Sequence, residues 1–210
     1  MRLRKVQNAF EDLSKDTKYF VINPKDYKGK WNTVFNNNNK LYIEIGCGKG
    51  DFIIANAIHH PENNYIAIEK YDTVLMYAVK KIEKDIPNLR FIRMDALEIN
   101  EVFDKEVDLI YLNFSDPWPK ERHAKRRLTH ERFLKLYDDI FKSSKTIFMK
   151  TDNIHLFEFS IESLSDYGYK LKNISLDLIN SDIEENFMTE YEKKFSEKGT
   201  RINRLEAYKD

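Results

Sequence analysis

The chain has 210 residues, enough for one sizeable α/β domain and few for two. Its 35 basic and 35 acidic residues give zero net charge, which excludes a global field for binding polyanions and leaves only local patches. No apolar run approaches the roughly 20 residues that span a bilayer, and no signal-peptide hydrophobic region is present. One cysteine excludes an internal disulfide, and the histidines lack metal-ligand spacing. We therefore expect a cytoplasmic protein without a metal site.

Residues 1–39 precede the first predicted strand and form an N-terminal extension to a domain that covers residues 40–210. The chain starts with three basic residues, Arg2, Arg4 and Lys5. This basic start is either solvated or in contact with a polyanion. Four consecutive asparagines end the extension and indicate a polar linker. Trp31 and Phe35 are predicted to pack the extension against the domain.

A glycine-rich stretch follows the first predicted strand, residues 41–45. Its glycines, Gly46, Gly48 and Gly50, allow a tight turn and let a ligand approach bare backbone. A dinucleotide fingerprint would need its third glycine at position 51, which is Asp51. The order of strand, glycine turn and helix therefore predicts a nucleotide-type cofactor site whose spacing does not suit NAD.

Strands and helices alternate along the rest of the chain. Further strands are predicted at residues 64–69, 89–94, 107–114, 145–150, 169–176 and 204–208. Helices are predicted at residues 52–58, 73–85, 129–141 (with Thr129 as its cap) and 154–167. Residues 180–200 are predicted to form a loop with room for a short helix. Mostly apolar strands alternating with helices predict a mostly parallel seven-stranded α/β sheet with helices on both faces. Right-handed crossovers would then bring all strand C-termini to one edge.

Acidic residues lie at or near the ends of the first four strands, one βα unit apart: Glu44, Glu69, Asp95 and Asp116. Ligands of open α/β sheets bind outside the strand C-termini. Four carboxylates there would repel a pyrophosphate but suit S-adenosylmethionine, which carries a sulfonium, an ammonium and a ribose diol. The alternative is that these acids cap helices, which explains any one of them but poorly explains all four.

The fourth strand ends in a proline-stiffened turn, Asp116-Pro117-Trp118-Pro119-Lys120. Enzymes that modify a nucleobase hold it by stacking and by hydrogen bonds to its Watson–Crick edge. Trp118 is suited to stacking, and Asp116 can accept from the N1–H and N2–H₂ groups of guanine. The alternative is a buried tryptophan in a rigid loop.

Five basic residues and one acid occupy residues 120–127. The basic residues are Lys120, Arg122, Lys125, Arg126 and Arg127. Charge runs are usually solvated faces, but this one adjoins the predicted site in a chain without net charge. Since Lys and Arg contact phosphates, we predict a polyanionic substrate.

The chain resembles, over nearly its whole length, the bacterial tRNA (guanine-N7)-methyltransferases, which methylate a guanine in the tRNA variable loop. The resemblance is carried by residues 44–50, 116–120, 122–127, 150–152 and 189–192. The glycine motif is shared by many methyltransferases, whereas D-P-W-P-K together with R-H-x-K-R-R is far more specific. Residues 6–8 depart from the family, which has a stretch containing Pro and Trp there.

The resemblance implies a Rossmann-like class I methyltransferase fold and S-adenosylmethionine as cofactor. It implies cofactor contacts from the glycine motif and the strand-end acids: Glu44, Gly46, Gly48, Gly50, Glu69, Asp95 and Asp116. Asp116 would also be catalytic. Substrate tRNA would be contacted by the turn, the basic segment and two later motifs: Trp118, Lys120, Arg122, Lys125, Arg126, Arg127, Asp152, Thr189, Tyr191 and Glu192. A monomer or a homodimer is expected.

Three alternatives remain open at this point. A methyltransferase acting on another RNA base or substrate fits the same glycine loop and turn. A non-catalytic RNA-binding protein explains the basic segment but leaves the acidic edge without a purpose. A nicotinamide dehydrogenase is disfavoured by Asp51 and by the acids.

Overall fold

The computed structural model describes residues 6–183 and 186–210, so the basic start of the chain lies outside the described residues. One seven-stranded sheet has the order β3-β2-β1-β4-β5-β7-β6. Its strands are β1 (Leu41–Ile45), β2 (Asn64–Glu69), β3 (Leu89–Arg93), β4 (Leu109–Asn113), β5 (Lys145–Thr151), β6 (Lys170–Ser175) and β7 (Asn203–Lys209). The predicted Rossmann-like α/β fold is confirmed.

The sheet is parallel except for β7, which runs antiparallel to both β5 and β6. The expectation that all strand C-termini share one edge is therefore wrong for β7, whose C-terminal end lies at the opposite edge. The ends of β1, β2, β3, β4 and β5 do meet, because these strands pair in parallel. We call this edge the catalytic edge.

Helices cover both faces of the sheet, as predicted. The described part of the chain contains α1 (Ala9–Ser14), α2 (Trp31–Phe35), α3 (Asp51–His59), α4 (Asp72–Lys80), α5 (Ile99–Val102), α6 (Glu131–Asp138), α7 (Ile154–Asp166) and α8 (Glu190–Ser196). Alternate residues of one strand belong to different apolar clusters: Ile66 and Ile68 pack with α5, α6 and α7, whereas Tyr65 and Ala67 pack with α1, α3 and α4. This period of two is what a strand buried on both faces requires.

Helix boundaries differ from the prediction where tertiary contacts override local sequence. Helix α4 ends at Lys80, well before residue 85. Beyond it the Tyr19 hydroxyl accepts from the amide of Ile86 at 3.1 Å and donates to the carbonyl of Lys84 at 3.3 Å. These groups are thus bonded to the N-terminal extension and not to another helical turn.

Thr129 does not cap α6. The cap is His130, whose Nδ1 accepts from the amide of Arg132 at 3.0 Å. The Thr129 hydroxyl instead forms a 2.8 Å hydrogen bond with that of Ser160 inside the core. A buried hydroxyl must find a partner, and here the partner on α7 outcompetes the local one.

The N-terminal extension is packed into the apolar clusters on both faces. Ala9 and Leu13 of α1 are buried against α4, and Trp31 of α2 is 1% exposed beside Phe103. The indole nitrogen of Trp31 donates to the carbonyl of Val102 at 3.0 Å. As predicted, Trp31 holds the extension on the domain; the domain boundary after residue 39 stays a prediction. Throughout the described ranges no helix is long and apolar enough to cross a membrane.

Candidate active site

The three glycines after β1 all have left-handed backbone conformations, with φ of 81° at Gly46, 56° at Gly48 and 77° at Gly50. A Cβ atom at Gly46 or Gly48 would meet nothing within 4 Å, so both border open space. At Gly50 it would lie 3.2 Å from Ala78 and 3.3 Å from Phe91. Gly50 therefore allows α3 to pack closely on its neighbours and does not line the space open to a cofactor.

Amide groups of the glycine loop are bonded inside the protein. Gly46 and Cys47 both donate to the carbonyl of Ile68 on β2, at 2.8 and 2.9 Å. The amide of Gly48 donates to Glu69 at 3.2 Å. A phosphate-binding loop keeps such donors free for its ligand. This loop suits a cofactor that has no phosphate, which agrees with S-adenosylmethionine.

Glu44 is a buried carboxylate with an unused oxygen. Its side chain is 1% exposed, Oε1 accepts from the Asn113 amide at 2.8 Å, and Oε2 has no hydrogen-bond partner. Burial, aided by repulsion from Asp51 and Glu69 and opposed by Asn113 and Lys150, raises the pKa of Glu44 to about 7. A cationic group would supply the missing partner. The residues present thus fit S-adenosylmethionine, whose ammonium Glu44 would hold.

The other strand-end acids have different surroundings. Glu69 accepts from three backbone amides, those of Gly48, Lys70 and Tyr71. Burial raises the pKa of Glu69 despite these bonds, and the nearby charge of Asp116 raises it further. Glu44, Glu69 and Asp116 are therefore electrostatic neighbours on the catalytic edge, with Asp116 exposed to solvent.

Asp95 is set apart from this acidic group by a counterion. Its carboxylate accepts from the ammonium of Lys70 at 2.6 Å and from the amide of Leu97 at 3.1 Å. Partial burial acts to raise the pKa of Asp95, but these two donors together hold it below its ordinary value. The capping explanation for the strand-end acids thus applies to Asp95, which caps a short 3₁₀ helix; its cofactor contact stays a prediction.

The turn after β4 has a strained backbone and is supported by hydrogen bonds from Arg127. Phe114 and Trp118, both bulky, have positive φ values of 51° and 42°, a conformation that costs of order 1–3 kcal/mol per residue. Arg127 lies under the turn, 8% exposed, and donates 3.2 Å hydrogen bonds from Nε to the Pro117 carbonyl and from Nη2 to the Trp118 carbonyl. Its guanidinium lies 4.4 Å from the ring centroid of Phe159. This geometry assigns Arg127 to the turn and speaks against the predicted contact with substrate.

Trp118 has one ring face already covered. The guanidinium of Arg126 lies 4.7 Å from the indole centroid, and the ring of His123 approaches edge-on at 5.8 Å. A base can stack on Trp118 only at its other face, unless Arg126 moves. The charge of Arg126 also reaches Lys70, which follows β2, where it acts to lower the lysine pKa against the stronger raising effect of Asp95.

The basic segment forms a 3₁₀ helix, Glu121–Arg126, beside the Asp116 turn. Ala124 is buried and fixes the helix to the domain. Four of the five predicted basic contacts are exposed, namely Lys120, Arg122, Lys125 and Arg126. These four cations are therefore available to a polyanion next to the turn, as predicted, whereas the fifth, Arg127, is not.

Two consecutive residues of α8 contact two different parts of the catalytic edge. Glu190 pairs with Lys49 of the glycine loop at 2.7 Å. Tyr191 donates its hydroxyl to Asp152, which follows β5, at 2.9 Å, and is 42% exposed. Thr189 caps the helix. The structure thus brings Tyr191 and Asp152 together at the edge, where both can reach a substrate.

Glu192 lies inside the protein, which does not fit the substrate contact predicted for it. Its side chain is fully buried, and Oε2 accepts from the ammonium of Lys150 on β5 at 2.7 Å. An inaccessible carboxylate paired with a lysine has no free face for tRNA. Sequence reasoning gave Lys150 and Asn113 no role of their own, although a polar residue that follows directly on the apolar run of a buried strand needs a buried partner.

Among residues 6–183 and 186–210 no group of three His, Cys, Asp or Glu side chains is arranged to hold a metal ion. Cys47 is buried in the glycine loop, and burial, with the charges of Glu44 and Glu69, raises the pKa of its thiol well above the ordinary value. Such a thiol is protonated and inert as a nucleophile.

Similarities to other proteins agree with this site. A protein-family profile described as "Putative methyltransferase" matches residues 38–205. Among solved structures, an antibiotic-related methyltransferase aligns with a TM-score of 0.63 at 20% identity, over 88% of this chain and 93% of that one. A SAM-dependent methyltransferase from Archaeoglobus fulgidus aligns with a TM-score of 0.54 at 15% identity, over 88% and 92%. At these identities the two structures support the fold alone.

Curated sequence relatives are much closer. A tRNA (guanine-N(7)-)-methyltransferase of Lysinibacillus sphaericus is 50% identical over 99% of this chain and 97% of its own length. Proteins of the same name from Streptococcus uberis and Bacillus subtilis are each 48% identical over 99% of this chain, covering 100% and 98% of the relatives. On this identity and coverage, the chain belongs to the tRNA (guanine-N(7)-)-methyltransferase family.

Proposed function

We propose that this protein transfers the methyl group of S-adenosylmethionine to N7 of a guanine in the variable loop of tRNA, forming 7-methylguanosine. The observation that best supports this proposal is the position of the Asp116–Lys120 turn. It lies between Glu69, whose pKa Asp116 raises, and a helix that exposes three cations, and it carries a fourth, Lys120. Family membership supports the same reaction. A tRNA substrate implies action in the cytoplasm.

The cofactor, S-adenosylmethionine, agrees with the family and the fold, and supplies a methyl group activated by its sulfonium. Glu44 would hold its ammonium, and the open backbone at Gly46 and Gly48 would border it. Glu69 and Asp95 can accept from the ribose and the adenine, since each carboxylate has more acceptor sites than its present bonds use.

Methylation at N7 requires little acid–base catalysis from the protein. The N7 lone pair is free in neutral guanine, so no base has to remove a proton before attack. What remains is to place N7 in line with the methyl group and to stabilise the positive charge of the product. Asp116, an exposed carboxylate on a rigid turn, orients the guanine and stabilises that charge. Trp118 and Tyr191 provide ring faces for the base.

The experiment that tests this function uses methyl-labelled S-adenosylmethionine, purified protein and two unmodified tRNA transcripts. The second transcript has adenine in place of the variable-loop guanine. Label appearing as 7-methylguanosine in the first transcript only would establish reaction, atom and site together. Label in both would retain the methyltransferase and reject the site. No label in either, with cofactor bound, would favour a methyltransferase for another substrate.

Neutralising the exposed cations Arg122, Lys125 and Arg126 to glutamine is expected to weaken tRNA binding and to flatten its salt dependence. Each lost phosphate contact removes about 0.7–0.9 from the slope of log K against log salt, so the slope should fall by about two. Filter binding at several salt concentrations measures it. A matched control neutralises Lys105 and Lys142, exposed lysines near the starts of the central strands. An unchanged slope in the triple variant would exclude this patch as the tRNA contact.

Arg127→Lys is expected to lower kcat by about tenfold to a hundredfold with little change in the KM for tRNA. Lysine keeps the charge but lacks the planar guanidinium that donates from Nε to the Pro117 carbonyl and from Nη2 to the Trp118 carbonyl, so the turn that carries Asp116 loses this rigid support. Steady-state kinetics separates the two parameters, with Arg126→Lys as the neighbouring control. A raised KM with normal kcat would instead identify Arg127 as a phosphate contact.

A further inference from the structure

A row of polar side chains crosses four adjacent strands on one face of the sheet. Its members are Glu44 on β1, Asn113 on β4, Lys150 on β5 and Arg204 on β7. Asn113 lies opposite Lys150 in the register of β4 and β5, and Lys150 lies opposite Arg204. Asn113 also donates to Glu44 at 2.8 Å. The row thus joins the cofactor carboxylate to the strand that supports α8.

Lys150 is the most heavily bonded member of this row. Its ammonium, on a side chain 6% exposed, donates to Glu192 at 2.7 Å, to the Asn186 side chain at 2.9 Å and to the Phe187 carbonyl at 3.0 Å. All three acceptors belong to residues 186–192, the segment that leads into α8. On its other side the ammonium lies 4.7 Å from the ring centroid of Phe52 on α3. One buried cation therefore fixes the whole segment against the core.

Stability alone is a poor explanation for this buried pair. Desolvating two charges offsets most of their attraction, and well-packed apolar residues often serve as well or better. The pair lies between two parts of the candidate active site: Glu44 on one side, and Tyr191 with Thr189 on the other. Its position suggests a role in holding both.

We propose that Lys150 is a positioning residue for methyl transfer: it fastens residues 186–192 over the catalytic edge, and its buried charge, in register with the Asn113 that donates to Glu44, supports the carboxylate that would hold the cofactor ammonium. This inference rests on the proposed function, since it assigns the two groups it connects to cofactor and tRNA. Lys150 itself touches neither.

The electrostatics around Glu44 support this role. Asp51 on α3 and Glu69 at the end of β2 both act to raise the pKa of Glu44, the Cys47 thiol beside it is protonated, and Lys150 is the cation that opposes them. Burial lowers the pKa of Lys150 itself. The charge of Arg204 lowers it further, whereas the charges of Glu192 and Glu44 act to raise it. Removing the lysine would thus leave only the Asn113 hydrogen bond to oppose burial and the neighbouring acids.

Two variants separate the two parts of the proposal. Lys150→Met removes the cation and leaves Glu192 buried and unpaired. The double variant Lys150→Met with Glu192→Met replaces the pair by apolar side chains that can pack together and keep the fold. The control is Lys145→Met, on the same strand, which breaks a partly exposed pair with Asp138.

Two measurements that need no tRNA are made on each protein. Calorimetry gives S-adenosylmethionine affinity between about pH 6 and pH 8.5, the range around the raised pKa of Glu44. Limited trypsin digestion reports release of α8 through cleavage after Lys193 and Lys194, which are exposed on that helix. Methylation kinetics is then measured separately.

We expect Lys150→Met to be cleaved at α8 about tenfold faster than the Lys145→Met control. Both Lys150 variants should bind the cofactor about five- to tenfold more weakly at about pH 6 and much less so at about pH 8.5, because protonated Glu44 cannot hold a cation. The double variant should recover thermal stability without recovering that low-pH affinity.

Parent-like cofactor affinity at every pH in the double variant would refute the electrostatic part. Parent-like trypsin cleavage in Lys150→Met would refute the fastening of residues 186–192. Neither readout depends on methyl transfer to tRNA. If the variants show both effects but the protein does not methylate tRNA, the role of Lys150 in connecting Glu44 to α8 would stand. Only the proposed substrate would then be contradicted.

Discussion

Asp116→Asn is expected to lower kcat for tRNA methylation by about a hundredfold or more, the usual loss when one charge-stabilising group is removed. Asparagine keeps the size and one hydrogen-bond acceptor of aspartate, so it can still orient guanine in part. It has no negative charge to oppose the cation that forms when N7 is methylated. Since Asp116 is exposed at the rim beside Glu69, we expect cofactor affinity to change by no more than about fivefold.

Single-turnover kinetics with cofactor and tRNA both saturating measures this effect without a contribution from binding. Glu121→Gln is the matched control, because it removes an exposed carboxylate only five positions along the chain, on the 3₁₀ helix. If Asp116→Asn bound both substrates normally and kept the full rate, the charge of Asp116 would have no catalytic role. A variant that lost tRNA binding with an unchanged single-turnover rate would assign Asp116 to recognition instead.

Glu44→Gln is expected to weaken S-adenosylmethionine binding by about ten- to a hundredfold, equivalent to losing one charged hydrogen bond of about 1.5–3 kcal/mol. The parent should lose affinity as pH falls through about 7, where burial holds the pKa of Glu44, because the protonated acid cannot pair with an ammonium. The glutamine variant should lack this dependence. Any pH effect that remains comes from other groups, among them Glu69, whose pKa burial also raises, and the amino group of the cofactor.

The stability of the cofactor-free protein should fall as pH rises, whereas its affinity for the cofactor should increase. An acid whose pKa is raised on folding binds its proton more tightly in the folded state, so stability falls as pH rises from its ordinary value of 4.5 through about 7. Glu44→Gln removes that penalty, and its melting temperature at about pH 8 should be no lower than the parent's. A variant that binds cofactor as the parent does at all pH values would exclude Glu44 from the site.

Much of this architecture is readable from sequence, because the strands are apolar and the turns carry glycine or proline. The limits of β2 agree with the prediction to the residue, and the glycine loop and the Asp116 turn lie where it expected them. Local patterns of this kind depend on neighbours in the chain, which the sequence displays directly.

Residues whose roles depend on distant partners were harder to predict. Arg127 and Arg126 are adjacent in sequence and alike in chemistry, yet one supports a turn from below and the other covers an indole face. Glu192 shares a motif with Tyr191 but faces Lys150 inside the protein, 42 positions away. Nothing in the local sequence distinguishes such pairs, because the packing of distant elements decides which side chain is buried.

The commitment of the glycine-loop amides to β2 and Glu69 has a consequence for the thermodynamics of cofactor capture. A loop whose shape is already set by its own hydrogen bonds has little freedom left to lose when a ligand arrives. The unfavourable ordering entropy of binding should then fall mainly on the small molecule and on the side chains at the rim. Amide hydrogen exchange at Gly46, Cys47 and Gly48 should accordingly be slow before any cofactor is added and should change little afterwards.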